Sequence, residues 1–162
     1  MKDLVIERAI SLFDKELTLV EIHKLLFEGV FLAAGTIRKE AVSEEGFIFE
    51  SPMFLPDTLK IVERMPECSF DDIINKYIEM NIAHPFKEGN DFAMRLWLDM
   101  LLAKNIKARV DWCLVSKEDY VSALKRSAIN PDILSMLIRS ALTNDIDNKE
   151  LLKKSIEQSF SF

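Results

Sequence analysis

Residues His84–Arg95 read HPFKEGNDFAMR, and the organisation of the whole chain follows from this stretch. Pro85 disfavours helical dihedrals at the residue before it, so the helix that leads into the stretch must end near His84. A Gly-Asn pair then lies just ahead of a long apolar run, which marks the start of the next helix. The sequence therefore predicts a loop over residues 84–91 between two helices, with His84 at its start.

The run after this loop, FAMRLWLDMLLA, is apolar on nearly every face and predicts the central, buried helix of the fold. Asp91 is predicted to be its N-cap. Arg95 and Asp99 are its only charged residues and stand four apart, on one face. Because a buried guanidinium needs a fixed anionic partner, we expect Arg95 to pair either with Asp99 or with a ligand phosphate.

Composition indicates one soluble globular domain over residues 1–162, with 49% hydrophobic and 30% charged residues. Only four glycines and five prolines favour long helices over many short strands. The net charge of −6 argues against direct binding of nucleic acid, which needs basic surface to neutralise phosphates.

The N-terminal residues MKDLVIERAISLF carry charges inside the apolar run and no small-residue cleavage site, so no signal peptide is predicted. No apolar run is long enough for a membrane span. Cys68 and Cys113 form no CxxC motif and are expected to be reduced, partly buried thiols. These features predict a cytoplasmic protein with no membrane partner.

Periodicity predicts further helices on both sides of the loop. The segment LTLVEIHKLLFEGVFLAAG predicts one helix that opens at Thr18 and stops at Gly35, in which His23 is interpreted as a packing residue. SFDDIINKYIEMNIA predicts the helix that leads to the loop and begins at Ser69. Later helices are expected at KEDYVSALKRS and PDILSMLIRSAL, and a C-terminal helix over about 147–160.

The segment EAVSEEGFIFESP contains the only strand signal that we find in the chain. It predicts a short β-hairpin or extended flap over about residues 43–51. One interpretation is a loop that covers the core. The other is an exposed edge that pairs with the backbone of another chain.

The residue types in the loop are those that phosphate-transfer chemistry requires. A helix N-terminus after Gly89 offers unpaired N–H groups and the positive end of a dipole to an anion. Glu88 could hold Mg²⁺, which takes one or two carboxylates together with phosphates. Arg95 could clamp a terminal phosphate, and His84 could take a proton from an attacking hydroxyl.

HPFKEGNDFAMR also resembles the signature of the Fic domain, H-P-F-x-D/E-G-N-G-R-x-x-R. The resemblance extends to IHKLLFEGVFLAAGTIR and KYIEMNIAHPF before it, and to RLWLDMLLAKN, LKRSAIN and IEQSF after it, and so covers most of the chain. It implies an all-α fold, a Fic-type helical domain with a small β-hairpin flap. It also implies transfer of AMP from ATP, with Mg²⁺, to a Ser, Thr or Tyr hydroxyl of a target protein.

The resemblance implies roles for the matching residues. In chain order these are the flap that aligns the target segment (Gly46, Phe47, Ile48, Phe49 and Glu50), the base His84, the loop anchor Phe86, the Mg²⁺ ligand Glu88, the phosphate-binding Gly89 and Asn90, and the γ-phosphate contact Arg95. Self-association into a homo-oligomer is a further expectation from the resemblance.

Two positions depart from the signature: Asp91 replaces its second glycine and Phe92 its first arginine. Asp91 places a negative charge where phosphates must lie. Phe92 removes a charge-assisted hydrogen bond that contributes about 1.5–3 kcal/mol. Since about 1.4 kcal/mol corresponds to a tenfold change in rate, we expect activity lowered by about ten- to hundredfold or more.

The C-terminal segment KKSIEQSFSF resembles the inhibitory helix of some compact Fic proteins, whose motif is S/T-x-x-x-E-G/N. Ser159 fits the start of this motif, but its glutamate would fall at position 163, beyond Phe162. The helix is therefore expected without the inhibitory acid.

Three functional interpretations remain open, besides a purely structural role without a ligand. The first is a weakened protein adenylyltransferase with His84 as its base. The second is a degenerate Fic domain that binds a nucleotide or partner without transfer. The third is use of a different nucleotide-derived donor, selected by the altered phosphate contacts.

Overall fold

The computed structural model describes all residues, 1–162, and is mostly helical, as predicted. The α-helices are α1 (Lys2–Leu12), α2 (Leu19–Phe27), α3 (Leu55–Glu63), α4 (Phe70–Ala83), α5 (Asn90–Ile106), α6 (Lys117–Arg126), α7 (Asp132–Ser140) and α8 (Lys149–Phe160). The strands are β1 (Ser43–Glu44), β2 (Phe47–Ile48), β3 (Arg109–Val110) and β4 (Leu142–Thr143), and a 3-10 helix covers Trp112–Leu114.

Helix α5 is the centre of the fold, which confirms the prediction from its apolar sequence. It packs against α2, α4 and α8, and α8 also packs against α1. Its buried apolar side chains belong to a single core cluster of 39 buried hydrophobic residues. A helix with apolar residues on nearly every face is stable only where other elements cover each of those faces.

Helix α2 is shorter than predicted. It begins as expected, because Thr18 and Glu21 form a reciprocal capping box. However, it ends at Phe27, and the chain continues through turns to Gly35 instead of as helix. Gly29 has a φ of 76°, in the left-handed region, so the apolar spacing beyond residue 27 belongs to a turn packed on the core.

The junction of α4 and α5 follows the prediction closely, with one correction. Ser69 caps α4 by accepting from the Asp72 N–H, and the helix ends at Ala83. Helix α5 begins two residues before the start that a cap at Asp91 predicts, because Gly89, with a φ of 70°, makes the turn into it. The N-cap is therefore Gly89, and the prediction that Asp91 caps the helix is wrong.

The two sheets are each a pair of two-residue antiparallel strands. Strands β1 and β2 form the hairpin predicted within residues 43–51. Strands β3 and β4 form a second sheet, with Arg109 opposite Thr143, so the expectation of a single strand region is wrong. Two-residue strands are too short to show a period-2 pattern, and this pair joins segments that lie more than 30 residues apart in the chain.

Cys68 and Cys113 are both exposed, so the expectation of partly buried thiols is wrong. None of the helices is both long enough and apolar enough to cross a bilayer.

Candidate active site

His84 follows the last residue of α4 and has a left-handed backbone, with φ 46° and ψ 67°. A non-glycine residue rarely adopts this conformation, and the surrounding contacts must hold it there. The imidazole stacks on the Phe49 ring with the centroids 4.0 Å apart. Its Nδ1 lies 3.3 Å from Asn90 Nδ2, whereas Nε2 has no hydrogen-bond partner and is not sealed from solvent. Burial lowers the pKa of His84 and keeps the ring neutral at pH 7.

Asn90, the first residue of α5, is oriented by the backbone of the loop. The Phe86 N–H donates to Asn90 Oδ1 at 3.2 Å, so the amide Nδ2 must face His84 and Asp91. An amide nitrogen only donates, so His84 Nδ1 is the acceptor in this contact. In this arrangement the neutral imidazole carries its proton on Nε2.

His23 of α2 supports the loop from the side of the core. Its side chain is buried, with the residue 2% exposed. His23 Nδ1 accepts from the Gly35 N–H at 2.9 Å, so Nε2 carries the proton and donates to the Glu88 carbonyl at 2.7 Å. The ring stacks on Phe86 with the centroids 3.8 Å apart. The interpretation of His23 as a packing residue agrees with these contacts, which also make it a support of the loop.

Gly89 occupies a position that no other residue fits. Its φ is 70°, and a Cβ added there would lie 2.6 Å from the Phe27 ring. A side chain at 89 would therefore strain the backbone and push the loop away from α2. The result of this close approach is a helix N-terminus at α5 that no side chain caps, so its first N–H groups are free to bind an anion.

Arg95 is 4% exposed, one turn further along α5, and its partner is the C-terminal helix. Its Nε donates to Ser159 Oγ at 2.9 Å and its Nη2 to the Ser159 carbonyl at 3.0 Å. The rings of Trp112, Tyr120 and Phe162 lie around the guanidinium, with centroids 5.2–5.9 Å from Cζ. In this structure Arg95 is satisfied by neutral acceptors and aromatic faces, without a carboxylate.

Asp99 is not the partner of Arg95, so that part of the prediction is wrong. Its carboxylate accepts from the Val110 N–H at 2.9 Å and from Trp112 Nε1 at 2.8 Å. These bonds fasten the segment after α5 to the centre of the fold. Burial raises the pKa of Asp99 to about 7 despite both donors.

The flap is a hairpin with a two-residue turn at Glu45 and Gly46, whose φ angles are 45° and 83°. Positive φ at both positions matches the twist of the flanking strands. Ile48 is 78% exposed, whereas Phe49 turns inward onto His84. An ion pair between Glu45 and Lys125 joins the tip of the flap to α6.

A cavity of about 310 Å³ lies between the flap, α5 and α6. Phe47 and Phe49 line it from the flap, and Asp91 and Arg95 line it from α5. Tyr120 and Phe162 complete its aromatic wall, and Glu44, Glu45, Lys117 and Lys125 line it as well. A volume of this size lies at the lower end of the range for small-molecule sites.

The profile of the Fic/DOC family matches residues 13–102, which is more than half of the chain and includes the loop. The chain belongs to the Fic/DOC family. It is 27% identical over 143 residues to the protein adenylyltransferase VbhT of Bartonella schoenbuchensis. That match covers 81% of this chain but only 30% of VbhT, so the chain spans about a third of its curated relative.

Solved Fic structures share the fold. BepC of Bartonella tribocorum, solved with bound AMPPNP, superposes with a TM-score of 0.74 at 18% identity, over 87% of this chain and 83% of that one. The N-terminal Fic domain of a VirB-translocated Bep effector from Bartonella quintana, solved with bound ADP, gives a TM-score of 0.71 at 19% identity, over 93% and 85% of the two chains.

Asp91 and Phe92, the two residues that depart from the Fic signature, lie in different environments, one exposed and one buried. Asp91 is exposed and lines the cavity, and its one hydrogen bond is a long contact from Asn90 Nδ2 at 3.5 Å. Asp91 was predicted to cap α5, but it accepts no bond from the first N–H groups of that helix. Its negative charge nevertheless lies in the cavity wall. Phe92 is buried and packs edge-on against Phe160 of α8, with centroids 5.1 Å apart. The Fic signature has an arginine at the position of Phe92, whereas in this chain the residue packs α5 against α8.

Glu88 does not meet the other candidate residues. Its exposed side chain lines a separate depression with Lys39 and Lys87, not the cavity that Asp91 and Arg95 line. The chain contains no cluster of three side chains of the metal-ligating types His, Cys, Asp and Glu. A single carboxylate suits Mg²⁺ only where phosphates complete the coordination, so these residues fit the ion only together with a bound nucleotide.

Sequence reasoning missed three residues that shape the site. Tyr120 and Phe162 enclose Arg95, and Arg38 binds the backbone around His84. Arg38 lies in the segment GTIR, which belongs to the resemblance, but the signature itself assigns it no role. The two aromatics carried no signal, because apolar residues in helices and at chain ends are common.

Proposed function

We propose that this chain is a Fic-type protein adenylyltransferase, with residues 1–162 acting as one Fic unit, which transfers AMP from ATP to a hydroxyl of a target protein. Its nucleotide use would be weakened by Asp91 and Phe92. The observation that carries the proposal is the uncapped N-terminus of α5 in contact with His84, whose Nε2 has no partner. The relative VbhT is named a protein adenylyltransferase, and BepC was solved with the ATP analogue AMPPNP, which supports the proposal.

In the reaction, the target hydroxyl oxygen bonds to the α-phosphorus of ATP while the bond from that phosphorus to the β-bridging oxygen breaks. The hydroxyl proton passes to His84, and pyrophosphate leaves. Burial lowers the pKa of His84 and keeps the ring neutral, so one of its two nitrogens can accept a proton. For Nε2 to be the acceptor, the ring must carry its other proton on Nδ1, so the 3.3 Å contact from Asn90 must loosen.

The remaining residues would bind and orient the substrates. The N–H groups after Gly89 and the side chain of Asn90 would receive phosphate oxygens, and Mg²⁺, when bound, would neutralise phosphate charge beside Glu88. The outer edge of β2, around the exposed Ile48, would pair with the backbone of the target segment.

Arg95 supports a second candidate function, a nucleotide- or partner-binding module without transfer. Two of its nitrogens are committed to Ser159, and Phe162 lies over its guanidinium with the ring centroid 5.2 Å from Cζ. A γ-phosphate could bond Nε and Nη2 only if the end of α8 moved, whereas Nη1 has no partner and Arg95 lines the cavity. If α8 stays in place, the domain would hold a nucleotide with a weakened terminal phosphate contact.

Labelling with α-phosphate-labelled ATP and Mg²⁺ separates these functions, using the chain alone and in a cell extract. The protein should label weakly but above the His84→Ala control, and Asp91→Gly/Phe92→Arg should label about ten- to hundredfold more strongly. Equal labelling by the two would show that the departures do not weaken the enzyme. Labelling at the level of His84→Ala in both would exclude the transferase.

Calorimetry decides whether the chain binds a nucleotide at all. We expect ATP and ADP to bind with similar affinity, because Ser159 already occupies two of the three guanidinium nitrogens of Arg95 and weakens a γ-phosphate contact there. A panel of other nucleotides, with and without Mg²⁺, tests for a different donor. Absence of binding by every nucleotide would exclude the transferase and the nucleotide-binding module, and would leave partner binding as the second candidate.

A further inference from the structure

Arg38 is a buried arginine that contacts only backbone oxygens. Its side chain is 5% exposed and makes four hydrogen bonds to carbonyl groups. Nε donates to the His84 carbonyl at 2.7 Å, and Nη2 donates to the Ala83 carbonyl at 3.0 Å. Nη1 donates to the Glu40 carbonyl at 2.8 Å, and Nη2 also to the Glu50 carbonyl at 2.6 Å.

These four carbonyls belong to two structural units. Glu40 and Glu50 stand on either side of the flap hairpin, whereas Ala83 and His84 end helix α4. Backbone bonds run alongside, since the Arg38 N–H donates to the Pro85 carbonyl at 2.9 Å and the Glu50 N–H to the Ile82 carbonyl at 3.1 Å. The guanidinium is the one group that touches both ends of the flap and the residue that carries the imidazole.

The charge of Arg38 suits this place. No carboxylate lies within 4.0 Å of it. Burial lowers the pKa of Arg38, and the carbonyl oxygens and the more distant Glu50 carboxylate stabilise the cation against that effect. Two of those oxygens are at the C-terminus of α4, where the last carbonyls lack helical partners and the helix dipole is negative. A planar guanidinium can bond several carbonyls at once, which the compact ammonium of lysine cannot.

The conformation of His84 needs such a support. Its left-handed backbone is unfavourable for a residue with a side chain, and it persists only where the surroundings determine it. Arg38 holds its carbonyl directly. Arg38 also holds the carbonyl of Glu50, which follows Phe49, and the Phe49 ring stacks on the His84 imidazole.

We propose that Arg38 is a positioning residue that joins the flap to His84, so that the edge offered to a target segment and the imidazole keep one fixed relation. The mechanical coupling stands on the geometry alone. Its consequence for catalysis rests on the proposed adenylyltransferase function.

The test compares Arg38→Lys and Arg38→Gln with Lys39→Gln, a control that alters the exposed neighbouring cation. Amide hydrogen exchange and the ring signals of both histidines are measured by NMR. We expect Arg38→Gln to speed exchange at the Phe49 and Glu50 amides by at least about tenfold and to shift the ring signals of His84. The signals of His23, which Arg38 does not contact, should stay in place.

Arg38→Lys should give an intermediate result, and Lys39→Gln should match the wild type. The proposal is overturned if flap exchange and His84 signals are unchanged, or if exchange rises equally throughout the chain. Should both Arg38 variants fail to fold, the wild-type protein decides. There the Arg38 Nε–H and the Glu50 N–H should exchange through one opening event, and a flap that opens while Arg38 Nε–H stays protected would contradict the coupling.

Enzyme kinetics add an independent arm. If the chain transfers AMP, Arg38→Lys should lower kcat by at least about tenfold while KM for ATP changes less than twofold, because the guanidinium bonds only backbone carbonyls of the flap and of the end of α4 and bonds neither Asn90 nor Arg95. An equal rise in KM for ATP would contradict the positioning role. A wild-type protein without activity would refute the proposed function, and the exchange data would still test the coupling.

Discussion

The two histidines of this chain have similar aromatic and buried surroundings, but they differ in whether ring nitrogen Nε2 has a hydrogen-bond partner. Both are buried, both stack on a phenylalanine about 4 Å away, and burial lowers the pKa of both. His23 has a backbone partner at each ring nitrogen. His84 has a weak contact at Nδ1 and none at Nε2.

This difference indicates which histidine has a ring nitrogen available to a substrate. A histidine with both nitrogens bonded has one fixed tautomer and no position for a substrate proton. His84 instead retains an uncommitted nitrogen on a backbone conformation that costs energy to hold. We therefore propose that His23 stabilises the loop and that His84 carries the chemistry, a division that mutation of each residue can test.

His84→Ala is the change with the largest expected effect. It removes the uncommitted nitrogen, so labelling from ATP should fall by about 10²–10⁴-fold, the usual contribution of a general acid or base. The free energy of unfolding should change by only about 1 kcal/mol, since one stacked ring pair is lost. Radiolabel transfer and urea unfolding measure the two quantities. A variant that retained a tenth of the activity would exclude His84 as the base.

His23→Ala should show the reverse pattern, as a loss of stability. It removes two hydrogen bonds and a stacked ring from the core, so the free energy of unfolding should fall by about 3 kcal/mol. Urea denaturation measures it. A cost below that of His84→Ala would contradict the division between the two residues.

Gly89→Ala tests the loop that His23 supports, with Gly46→Ala as its matched control. Both glycines have positive φ, but only Gly89 meets a neighbouring ring, whereas a Cβ at Gly46 would meet nothing within 4 Å. We expect a loss of about 1 kcal/mol at 46 from backbone strain alone, and about 2–4 kcal/mol at 89. Equal losses in urea unfolding would show that the approach of Phe27 to the loop is not tight.

The smallest expected effect is a pH dependence of the His23→Ala cost. Because the folded-state pKa of His23 is lowered, the unfolded chain takes up the proton first as pH falls below about 6.5. The stability that His23 contributes is thus present above 6.5 and declines below it, by up to about 1.4 kcal/mol per pH unit.

The gap in unfolding free energy between wild type and His23→Ala should therefore narrow from pH 7.5 to pH 5. Asp99, with a pKa raised to about 7, acts with the opposite sign, because the folded protein holds its proton between about pH 4 and 7. Comparing the gap instead of each curve removes that contribution. A gap that stays constant would show that His23 is not kept neutral by burial.

Sequence reasoning succeeded where the determining interactions are local. Pro85 ends α4, and the apolar run of α5 identifies the central helix. The start of α5 was predicted to within two residues, although its cap is Gly89 and not Asp91. The flap hairpin was predictable for the same reason. Local signals of this kind are enough to indicate both the helical fold and the nature of the loop.

It failed where the partner lies far along the chain. The partner of Arg95 is Ser159, 64 residues away, although Asp99 is one turn along the same helix. Strand β3 pairs with β4 across more than 30 residues, and the turn after Phe27 is decided by the core on which it packs. Glu88 was predicted from its place in a motif, and the structure turns its side chain to a different depression.

The sequence by itself determined the helical fold, the family and the loop, because proline, glycine and apolar periodicity act through the nearest neighbours of each residue. Only the tertiary structure decided which atoms near the loop are free and which are committed. It bonds Arg95 to α8, packs Phe92 against Phe160, leaves the N-terminus of α5 uncapped and ties His84 to the flap through Arg38. These pairings depend on which distant segments meet around a buried charge, and that is settled by packing the whole core at once.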